Sequence, residues 1–446
     1  MSKNLPSNWQ QKKLEDCMEA IIDYRGKTPE KTSFGLPLIT AKIVKDGRIN
    51  NIQEYIAIKD YDSWMCRGLP QPGDIVMTTE APLGEIAQLD NRKVALAQRL
   101  ITLRGNPKIL NNNYLKFLMQ SSIVQNQLQE RATGTTVLGI KQSELRKINL
   151  VLPPLPEQKA IAHILGTLDD KIELNKQMNE TLEAMARAIF KSWFVDFDPV
   201  HAKMEGRQPA GMDAATADLF PDEFEESSLG LIPKGWRVGT LGEEIEIIKG
   251  KSYKSSELVP SSTALVTLKS FHRGGGYRSD GLKPYNGTYK PEQIIKPDEL
   301  VVAYTDVTQA ADVIGKPAIV KADERYNTLV ASLDVGIIRV KNKNLNIPFL
   351  YYLFNQNDFQ NHVYSHSNGS TVLHLSKDGI PSYKFCLPDV LLVSKFEKII
   401  IPMFEKTNLN WQESIDITTI RDTLLPKLIS GKIRVKEAEK ILEGVS

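Results

Sequence analysis

An internal duplication is the feature that most constrains the fold of this chain. Residues 132–140 read ATGTTVLGI, residues 367–375 read SNGSTVLHL, and each copy is followed by a Leu-Pro. Further upstream, LITAK (38–42) aligns with LVTLK (265–269) at an offset of 227, and the later blocks keep an offset of 235. Solenoid repeats have periods of roughly 20–50 residues, so an offset this long is domain-sized. We therefore predict two diverged copies of one domain.

Each copy opens with short runs of β-branched residues separated by Gly, Pro, Asn and Asp. Examples are GDIVMTT in the first half and DELVVAYT in the second, and such runs are typical of strands. One apolar helical stretch follows in each half, at 114–130 and 349–363. The pattern predicts a mixed, largely β domain in each half.

A heptad pattern closes each half. Apolar or small residues alternate at spacings of four and three along the first stretch, and these positions are Ile161, Leu165, Leu168, Ile172, Asn175, Asn179, Leu182, Ala186, Ile189 and Trp193. The matching positions of the second stretch are Phe396, Ile400, Met403, Thr407, Asn410, Ser414, Ile417, Arg421, Leu424 and Leu428. A sustained heptad seam predicts a coiled coil. Pro402 is expected to kink the second helix or to reset its start.

Two asparagines occupy equivalent positions in the middle of the two seams. If the helices are antiparallel, Asn175 and Asn410 should meet and fix the register of the pair. The alternative is that both are solvated positions on imperfect helices.

The resulting prediction is an α+β fold in which two duplicated mixed α/β domains are separated by two long antiparallel helices. The predicted segments are a first domain (1–155), a central helix (156–195), a linker (196–231), a second domain (232–390), a C-terminal helix (391–430) and a tail (431–446).

Composition limits the classes of function. The 56 Lys and Arg nearly balance the 54 Asp and Glu, so a nucleic-acid surface would have to be a local stripe. Cys17, Cys66 and Cys386 form no CxxC pair, which argues against a disulfide framework or a thiolate metal site. The first residues, MSKNLPSNWQQKK, lack an apolar targeting region, and no stretch is long enough to span a membrane. A cytoplasmic protein is expected.

The residues of the common catalytic sites are missing from the sequence. There is no GxxxxGK[ST] loop for ATP. The Pro-Pro of LPPL follows Leu152, which cannot hold the amine of a base as Asn or Asp would. His362 and His366 have the spacing of zinc ligands on a helix, but no glutamate follows the first and no third ligand is evident. We predict neither catalytic residues nor a metal site.

Taken together, these motifs resemble the DNA-specificity subunit of type I restriction-modification systems. The resemblance rests on the duplicated Gly-Thr/Ser-Thr loops, the junction LPPLPEQKAIAHIL, the helix DDKIELNKQMNETLEAMARAIFKSWFVDFDPV and LLPKLISGKI near the C-terminus. It covers essentially the whole chain, and the junction and long helix are its specific motifs.

The resemblance implies a non-catalytic subunit that binds double-stranded DNA. Each of two target-recognition domains would read one half of a split sequence. The helix pair would dock two methyltransferase subunits, which bring S-adenosylmethionine and modify adenine. Restriction subunits, which bring ATP, magnesium and nuclease activity, would join that core, so the chain itself would need no cofactor.

Candidate DNA contacts follow from residue chemistry. Hydroxyl groups and freed amides of the duplicated loop suit phosphates, although the loop could also be a simple turn. Arginine pairs with guanine and asparagine with adenine, although any of these residues could be an ordinary surface residue. The candidates are Lys42, Lys45, Arg48, Asn50, Thr135 and Thr136 in the first half, and Lys269, His272, Arg273, Tyr277, Arg278, Ser370 and Thr371 in the second. We expect the glycine-rich stretch around His272 to be mobile.

Two other classes of function remain open from the residues alone. The chain could be the recognition half of a fused modification enzyme, which would bind S-adenosylmethionine itself. It could also be a coiled-coil scaffold whose domains bind protein. Salt-dependent binding to DNA would separate the scaffold from a DNA reader, because phosphate contacts release counterions.

Overall fold

The structure is a computed structural model that describes residues 5–24, 28–307, 311–369 and 371–443. The chain divides into two compact units. Unit 1 comprises residues 1–177 and 410–446, and unit 2 comprises residues 178–409. Each unit therefore takes one part of each long helix, a grouping that differs from the sequence segments predicted above.

Unit 1 contains the first eleven strands and most of the helices that pack on them. Its strands are β1 (Gln10–Lys13), β2 (Met18–Asp23), β3 (Leu36–Ile39), β4 (Val44–Lys45), β5 (Arg48–Ile49), β6 (Tyr55–Ile56), β7 (Ile75–Thr79), β8 (Leu83–Gln88), β9 (Ala95–Leu96), β10 (Leu100–Gly105) and β11 (Asn149–Leu152). Its short helices are α1 (Leu14–Cys17), α2 (Tyr61–Trp64), α3 (Asn112–Gln120), α4 (Ser122–Glu130) and α5 (Gln142–Leu145). The long helix α6 (Leu155–Phe194) begins in unit 1 and continues into unit 2.

Unit 2 contains the remaining strands. They are β12 (Phe224–Ser227), β13 (Gly230–Pro233), β14 (Arg237–Thr240), β15 (Ile245–Lys249), β16 (Thr263–Val266), β17 (Lys283–Pro284), β18 (Ile294–Ile295), β19 (Leu300–Ala303), β20 (Thr305–Asp306), β21 (Pro317–Ile319), β22 (Thr328–Ala331), β23 (Val335–Val340), β24 (Ser367–Asn368), β25 (Leu373–Leu375) and β26 (Lys384–Leu387). Its short helices are α7 (Asp198–Met204), α8 (Ala214–Ala217), α9 (Leu241–Glu244), α10 (Ile347–Phe354) and α11 (Asn357–Ser365). The second long helix α12 (Val390–Ile429) returns to unit 1, where α13 (Val435–Glu443) follows.

The two units share one strand topology, as the duplication requires. The main antiparallel sheet has the order β2-β10-β7-β8 in unit 1 and β15-β23-β19-β21 in unit 2. A parallel pair accompanies each sheet, β3 with β9 and β16 with β22. The predicted α+β fold with two duplicated mixed domains and two long helices is confirmed.

Residues of the heptad seams are buried or half-buried along both helices. In unit 1, Leu165 and Leu168 of α6 lie in the same core as Leu424 and Leu428 of α12. In unit 2, Phe190 of α6 packs edge-on against Phe396 of α12, with ring centroids 5.6 Å apart. Within each unit the partners run in opposite directions, because a rising number on α6 meets a falling number on α12.

The contact predicted between the two seam asparagines is present within unit 1. Asn175 Nδ2 donates to the main-chain carbonyl of Asn410 at 3.3 Å, so the contact joins a side chain to the backbone. The same amide nitrogen donates to a carboxylate oxygen of Glu413 at 2.8 Å. Both asparagines are 1% exposed, which rules out the alternative of two solvated positions.

Three local predictions are narrowed or corrected. Of the two outcomes expected at Pro402, a kink or a reset start, the structure excludes the reset, because helix α12 runs from Val390 through Pro402 to Ile429. Proline removes one helical hydrogen bond, and the packing of Phe396 and Ile400 in the unit 2 core compensates. The single helix predicted at 114–130 is two helices that meet at Ser121, whose extended backbone interrupts the turn. The equivalent stretch at 349–363 is interrupted in the same way, at Gln356.

The segment predicted as a linker is folded. It contains α7, α8 and the β12–β13 hairpin, and its aromatic residues join the unit 2 core. Phe220 packs edge-on against Trp193 at 5.4 Å, and Phe197 packs edge-on against Trp236 at 5.7 Å. Burying such rings offsets the conformational entropy that a Gly- and Pro-rich segment loses on folding.

A buried carboxylate connects three elements of unit 1. Asp169 of α6 accepts from Lys116 of α3 at 2.7 Å and from Arg421 of α12 at 2.9 Å. Its side chain is 13% exposed. Burial alone would raise the pKa of this carboxyl, but Lys116 and Arg421 outweigh burial, and the pKa lies below its ordinary value.

We expect Asp169→Asn to lower the free energy of unfolding by about 3 kcal/mol at pH 7, because two cations lose their partner in a low-dielectric environment. The lowered pKa of Asp169 means that its contribution is present above the unfolded value of 3.8 and is lost as the pH falls through the lower folded value. The difference between variant and parent should therefore shrink below about pH 4. Urea unfolding at several pH values measures this, with the exposed neighbour Asp170→Asn as the matched control. Equal effects of the two substitutions would contradict the assignment.

Candidate nucleic-acid interface

Three main-chain hydrogen bonds join the strand ends of unit 1 into one edge. Ala97 donates to Ile39 at 2.9 Å, Thr79 donates to Arg99 at 3.0 Å, and Ile140 donates to Thr79 at 3.0 Å. They bring together the residues that follow β3, β7 and β9 and the duplicated loop. We call residues 39–42, 79–80, 97–99 and 133–140 the unit 1 edge.

The same three bonds recur in unit 2. Ser332 donates to Val266 at 3.0 Å, Tyr304 donates to Asp334 at 2.8 Å, and Leu375 donates to Tyr304 at 2.9 Å. Residues 266–269, 304–306, 332–334, 367–369 and 371–375 form the unit 2 edge. The two copies of the repeated loop are thus attached to their strands by equivalent hydrogen bonds. Each domain copy carries its own loop, which is why the loop occurs twice in the chain.

One glycine in each duplicated loop is required by its backbone. Gly134 has φ +122° and Gly369 has φ +121°, a region that L side chains rarely adopt. A Cβ at Gly134 would lie 2.1 Å from the carbonyl oxygen of Val137, and one at Gly369 would lie 2.0 Å from that of Val372. The glycine therefore lets the loop close on itself and present Thr135 and Thr136, which are exposed.

The first-half candidates divide into exposed residues and one that is engaged elsewhere. Lys42, Lys45 and Asn50 are exposed. Lys42 belongs to the unit 1 edge, and Lys45 lies on the β4–β5 hairpin, whose Asp46-Gly47 turn has the positive φ angles of a tight hairpin. The guanidinium of Arg48 is paired with Glu173 of α6 and also donates to the carbonyl of Asp169 at 3.3 Å. Arg48 therefore anchors the hairpin to α6 in this structure.

The second-half candidates show the same division. Lys269, His272 and Arg273 are exposed, and Lys269 follows β16 on the unit 2 edge. The hydroxyl group of Tyr277 is buried, and burial raises the pKa of that phenol. Arg278 is paired with Asp280. Tyr277 and Arg278 thus have structural roles here that residue type alone did not reveal.

The glycine-rich stretch around His272, which was expected to be mobile, forms a hydrogen-bonded turn in the structure, and its mobility stays a prediction. His272 donates its main-chain N–H to Gly276 at 3.0 Å, and Gly274 donates to Asp312 at 2.8 Å. Desolvation and the nearby Arg278 lower the pKa of His272, so the imidazole is held neutral more strongly than a free histidine.

The hydroxyl candidates of the second loop can be placed only in part. Thr371 is exposed in the unit 2 edge. Ser370 lies outside the described residues. For all thirteen candidates, contact with DNA stays a prediction.

The structure also reveals polar residues at the edges that sequence reasoning missed. In unit 1, Arg99 is paired with Glu80 at 3.0 Å, and both side chains are about half exposed. Their equivalents in unit 2 are Asp334 and Thr305, and the hydroxyl of Thr305 donates to Asp334 at 2.9 Å. In the sequence, Arg99 stands in the stretch ALAQRLITLRG, where no local feature distinguishes it. Its place between two strand ends depends on pairings that no local pattern shows.

The two histidines with zinc-ligand spacing are engaged with each other and with the chain. Their rings stack at 4.2 Å, and His366 Nδ1 lies 2.8 Å from the carbonyl oxygen of His362. Within the described ranges, no group of three or more His, Cys, Asp or Glu is arranged to hold a metal. All three cysteines are free thiols. None of the described helices has the length and apolar content needed to cross a membrane.

Comparisons with known proteins agree with this arrangement. Residues 6–184 match the family model described as the type I restriction modification DNA specificity domain. The type I restriction enzyme MjaIX specificity subunit of Methanocaldococcus jannaschii is 27% identical, over 97% of this chain and 95% of that protein. The HindI specificity subunit of Haemophilus influenzae is 26% identical, over 77% of this chain and 82% of that protein.

A solved structure shows the same fold. The crystal structure of the type I restriction-modification S subunit from M. genitalium superposes with a TM-score of 0.55, over 96% of this chain and 98% of that one. The sequences are 17% identical, so this likeness concerns the fold alone.

The matched segment, residues 6–184, has the pattern of a type I restriction modification DNA specificity domain, and the structure contains a second copy of its strand topology. Over most of its length the chain is similar to specificity subunits of type I restriction-modification systems. Both relatives are named as specificity subunits of type I restriction enzymes.

Proposed function

We propose that the chain reads a split, asymmetric DNA target, one part with each unit, and docks methyltransferase subunits on its long helices. The observation that carries the proposal is the pair of edges. Three equivalent main-chain hydrogen bonds build the same backbone arrangement in each unit, but the side chains on the two edges differ. Two different short DNA sequences could be read by two edges that share a backbone arrangement and differ in their side chains.

The chemistry at one equivalent position illustrates the difference. Arg99 presents a fork of donors, which suits the two acceptors of guanine in the major groove. Asp334 offers only acceptors, which suit the amino group of cytosine. Glu80 and Thr305 hold these side chains in place. The two units would therefore prefer different base pairs at corresponding positions of their words.

Other edge residues would bind the DNA backbone. Lys42 and Lys269 are exposed equivalents that follow β3 and β16. The duplicated loops add hydroxyl groups and main-chain amides, which are common phosphate ligands. These contacts would position each unit on the duplex without specifying its sequence.

The long helices would supply the docking surfaces for two methyltransferase subunits. Their seams are buried, yet several large apolar side chains point away from the seam. Leu174 is 51% exposed on α6 and Leu409 is 65% exposed on α12. Apolar groups exposed on a helix suit a protein partner. Near Leu174, Lys171 is paired with Glu413 of α12 at 3.1 Å, and both side chains are 43% exposed.

In this proposal the chain directs both adenine methylation and restriction while its partners perform the chemistry. S-adenosylmethionine would belong to the methyltransferase subunits, and ATP and magnesium to the restriction subunits. The complex would act in the cytoplasm, where it meets double-stranded DNA.

A domain exchange tests the split target. We expect that replacing residues 232–390 with the corresponding domain of a relative changes one part of the methylated sequence and leaves the other part unchanged, because the strands of the unit 2 edge lie within that segment. Sequencing of methylated adenines in cells that carry the exchanged chain measures both parts at once. The reciprocal exchange of residues 1–155 is the matched control and should alter only the other part. A change in both parts after either exchange would contradict independent reading.

Substitutions on the helices test the docking surface. We expect Leu174→Asp combined with Leu409→Asp to weaken assembly with the methyltransferase subunit by tenfold or more, because burying two unpaired carboxylates costs at least about 1.4 kcal/mol. Analytical ultracentrifugation of the reconstituted complex measures the affinity. Ile58→Asp introduces the same charge at a side chain that is 72% exposed outside the long helices, and it should leave assembly unchanged. Assembly that is equally insensitive to both variants would place the docking surface elsewhere.

A further inference from the structure

We propose that the segment 249–254 of unit 2 and the facing segment 288–293 form a groove that binds the sugar-phosphate backbone of the DNA duplex. This inference rests on the proposed function and extends it, because none of these residues was among the predicted contacts. The first segment reads KGKSYK and leaves β15 at the same end of the sheet as the unit 2 edge.

Main-chain hydrogen bonds fix the basic segment to the edge. The N–H of Lys251 donates to the carbonyl of Ala331 at 2.7 Å, and the N–H of Leu333 donates to the carbonyl of Lys251 at 2.8 Å. Residues 332–334 are themselves part of the unit 2 edge. Lys251 is therefore one hydrogen bond away from the residues proposed to meet DNA.

Glycine makes this close approach possible. A Cβ at position 250 would lie 2.1 Å from the carbonyl oxygen of Ser332 and 2.4 Å from that of Ala331. Only a residue without a Cβ can lie this close to another strand. Gly250 thus lets the lysines on either side of it approach the edge.

The groove itself has the chemistry of a phosphate site. It has a volume of about 290 Å³, and its walls include Lys251, Ser252, Thr288 and Lys290. Two lysines and two residues with hydroxyl groups therefore line one depression. Lysine ammonium groups and Ser or Thr hydroxyls are the usual side-chain ligands of DNA phosphates.

Local charge favours an anionic polymer. Lys249 lies over the ring of Tyr304 at 5.6 Å, and Lys283 lies over the ring of Tyr253 at 5.5 Å. With Lys251, Lys254 and Lys290, five lysines gather on this surface. Glu292 lies 3.6 Å from Lys290, and a carboxylate oxygen of Glu257 accepts from the main chain of Lys254, so cations remain in excess.

This excess is local, because the whole chain carries a net charge of only +2. A stripe of lysines on a nearly neutral protein suits contact with one anionic partner rather than general attraction. Its attachment to the unit 2 edge selects duplex DNA, since a base-reading edge needs adjacent backbone contacts to hold its register.

The test uses the chain assembled with its methyltransferase subunits. We expect Lys251→Gln combined with Lys290→Gln to weaken binding to target duplex about tenfold near 0.15 M salt. The slope of log K against log salt should fall by about two, because each lost phosphate contact removes about one released counterion. The order of preference among DNA sequences should not change. Fluorescence anisotropy over a salt series measures all three.

A matched control removes the same charge at the other end of the sheet. Lys296 precedes β19 and Lys343 follows β23, whereas the groove lies where β19 ends and β23 begins. Both control lysines are exposed, and Lys296→Gln combined with Lys343→Gln should leave affinity and slope within twofold of the parent. Thermal unfolding of both double variants should match the parent, since every substituted side chain is at least partly exposed.

Several results would contradict the proposal that this groove binds the DNA backbone. Unchanged affinity and slope in the Lys251/Lys290 variant would exclude it, as would losses no larger than those of the control. Altered base preference would assign the residues to base reading. A loss of binding only to RNA or to anionic vesicles would assign the surface to another partner. Failure of the proposed function is distinguishable, because then even the parent complex would bind target and unrelated duplexes equally.

Discussion

Closure of unit 1 by the two ends of the chain is the constraint on which the rest of the structure depends. Its core takes side chains from the N-terminal strands, from the start of α6 and from the end of α12 with α13. Glu157 holds this junction: it accepts from the indole of Trp9 at 3.1 Å and from Arg434 at 2.8 Å. The segment predicted as a C-terminal tail is therefore part of a core, with Ala438 fully buried.

This closure explains the antiparallel helices. Unit 1 needs residues 155–177 and 410–429, and unit 2 needs residues 178–194 and 390–409, so each unit is complete only when both helices contribute. Apolar side chains of the seams are buried in each core, but apolar contacts alone would tolerate a shift of one helix along the other. The seam asparagine tolerates such a shift less well, because its amide needs specific hydrogen-bond partners. Asn175 is buried and donates to the Asn410 carbonyl, to Glu413 and to Ser414, and a shift of one turn would leave that amide unsatisfied.

The duplication explains why the unit 1 edge and the unit 2 edge share a backbone arrangement. A main-chain hydrogen bond is indifferent to side-chain identity, so the three bonds that build each edge survive divergence. The side chains above them are free to change, and Arg99 with Glu80 in unit 1 corresponds to Asp334 with Thr305 in unit 2. In the proposed function, the constant backbone and the varied side chains would give two DNA-reading edges of similar shape and different base preference.

Periodic and repeated features were predictable from the sequence, and features that depend on remote pairing were not. The heptad positions of both helices are buried or half-buried, in agreement with the predicted seam, because the period of a helix is a local property. Arg48 was chosen for its donors, but its partner Glu173 lies 125 residues away and no sequence pattern indicates the pair. Tyr277 was chosen as an aromatic residue in a basic stretch, and its burial follows from packing against Phe271 across an antiparallel bridge. Arg99 and Lys251 were not predicted, because only strand pairing between remote segments brings them to the edges.

The form of the DNA target tests the account most directly. Methylated adenines should be mapped across the genome by single-molecule sequencing in cells with this chain and its methyltransferase, and in matched cells that lack only this chain. The account predicts that the methylation lost with the chain falls in one asymmetric sequence made of two short specific parts with an unread gap between them. A continuous target, a palindrome or a single short word would contradict reading by two unlike edges.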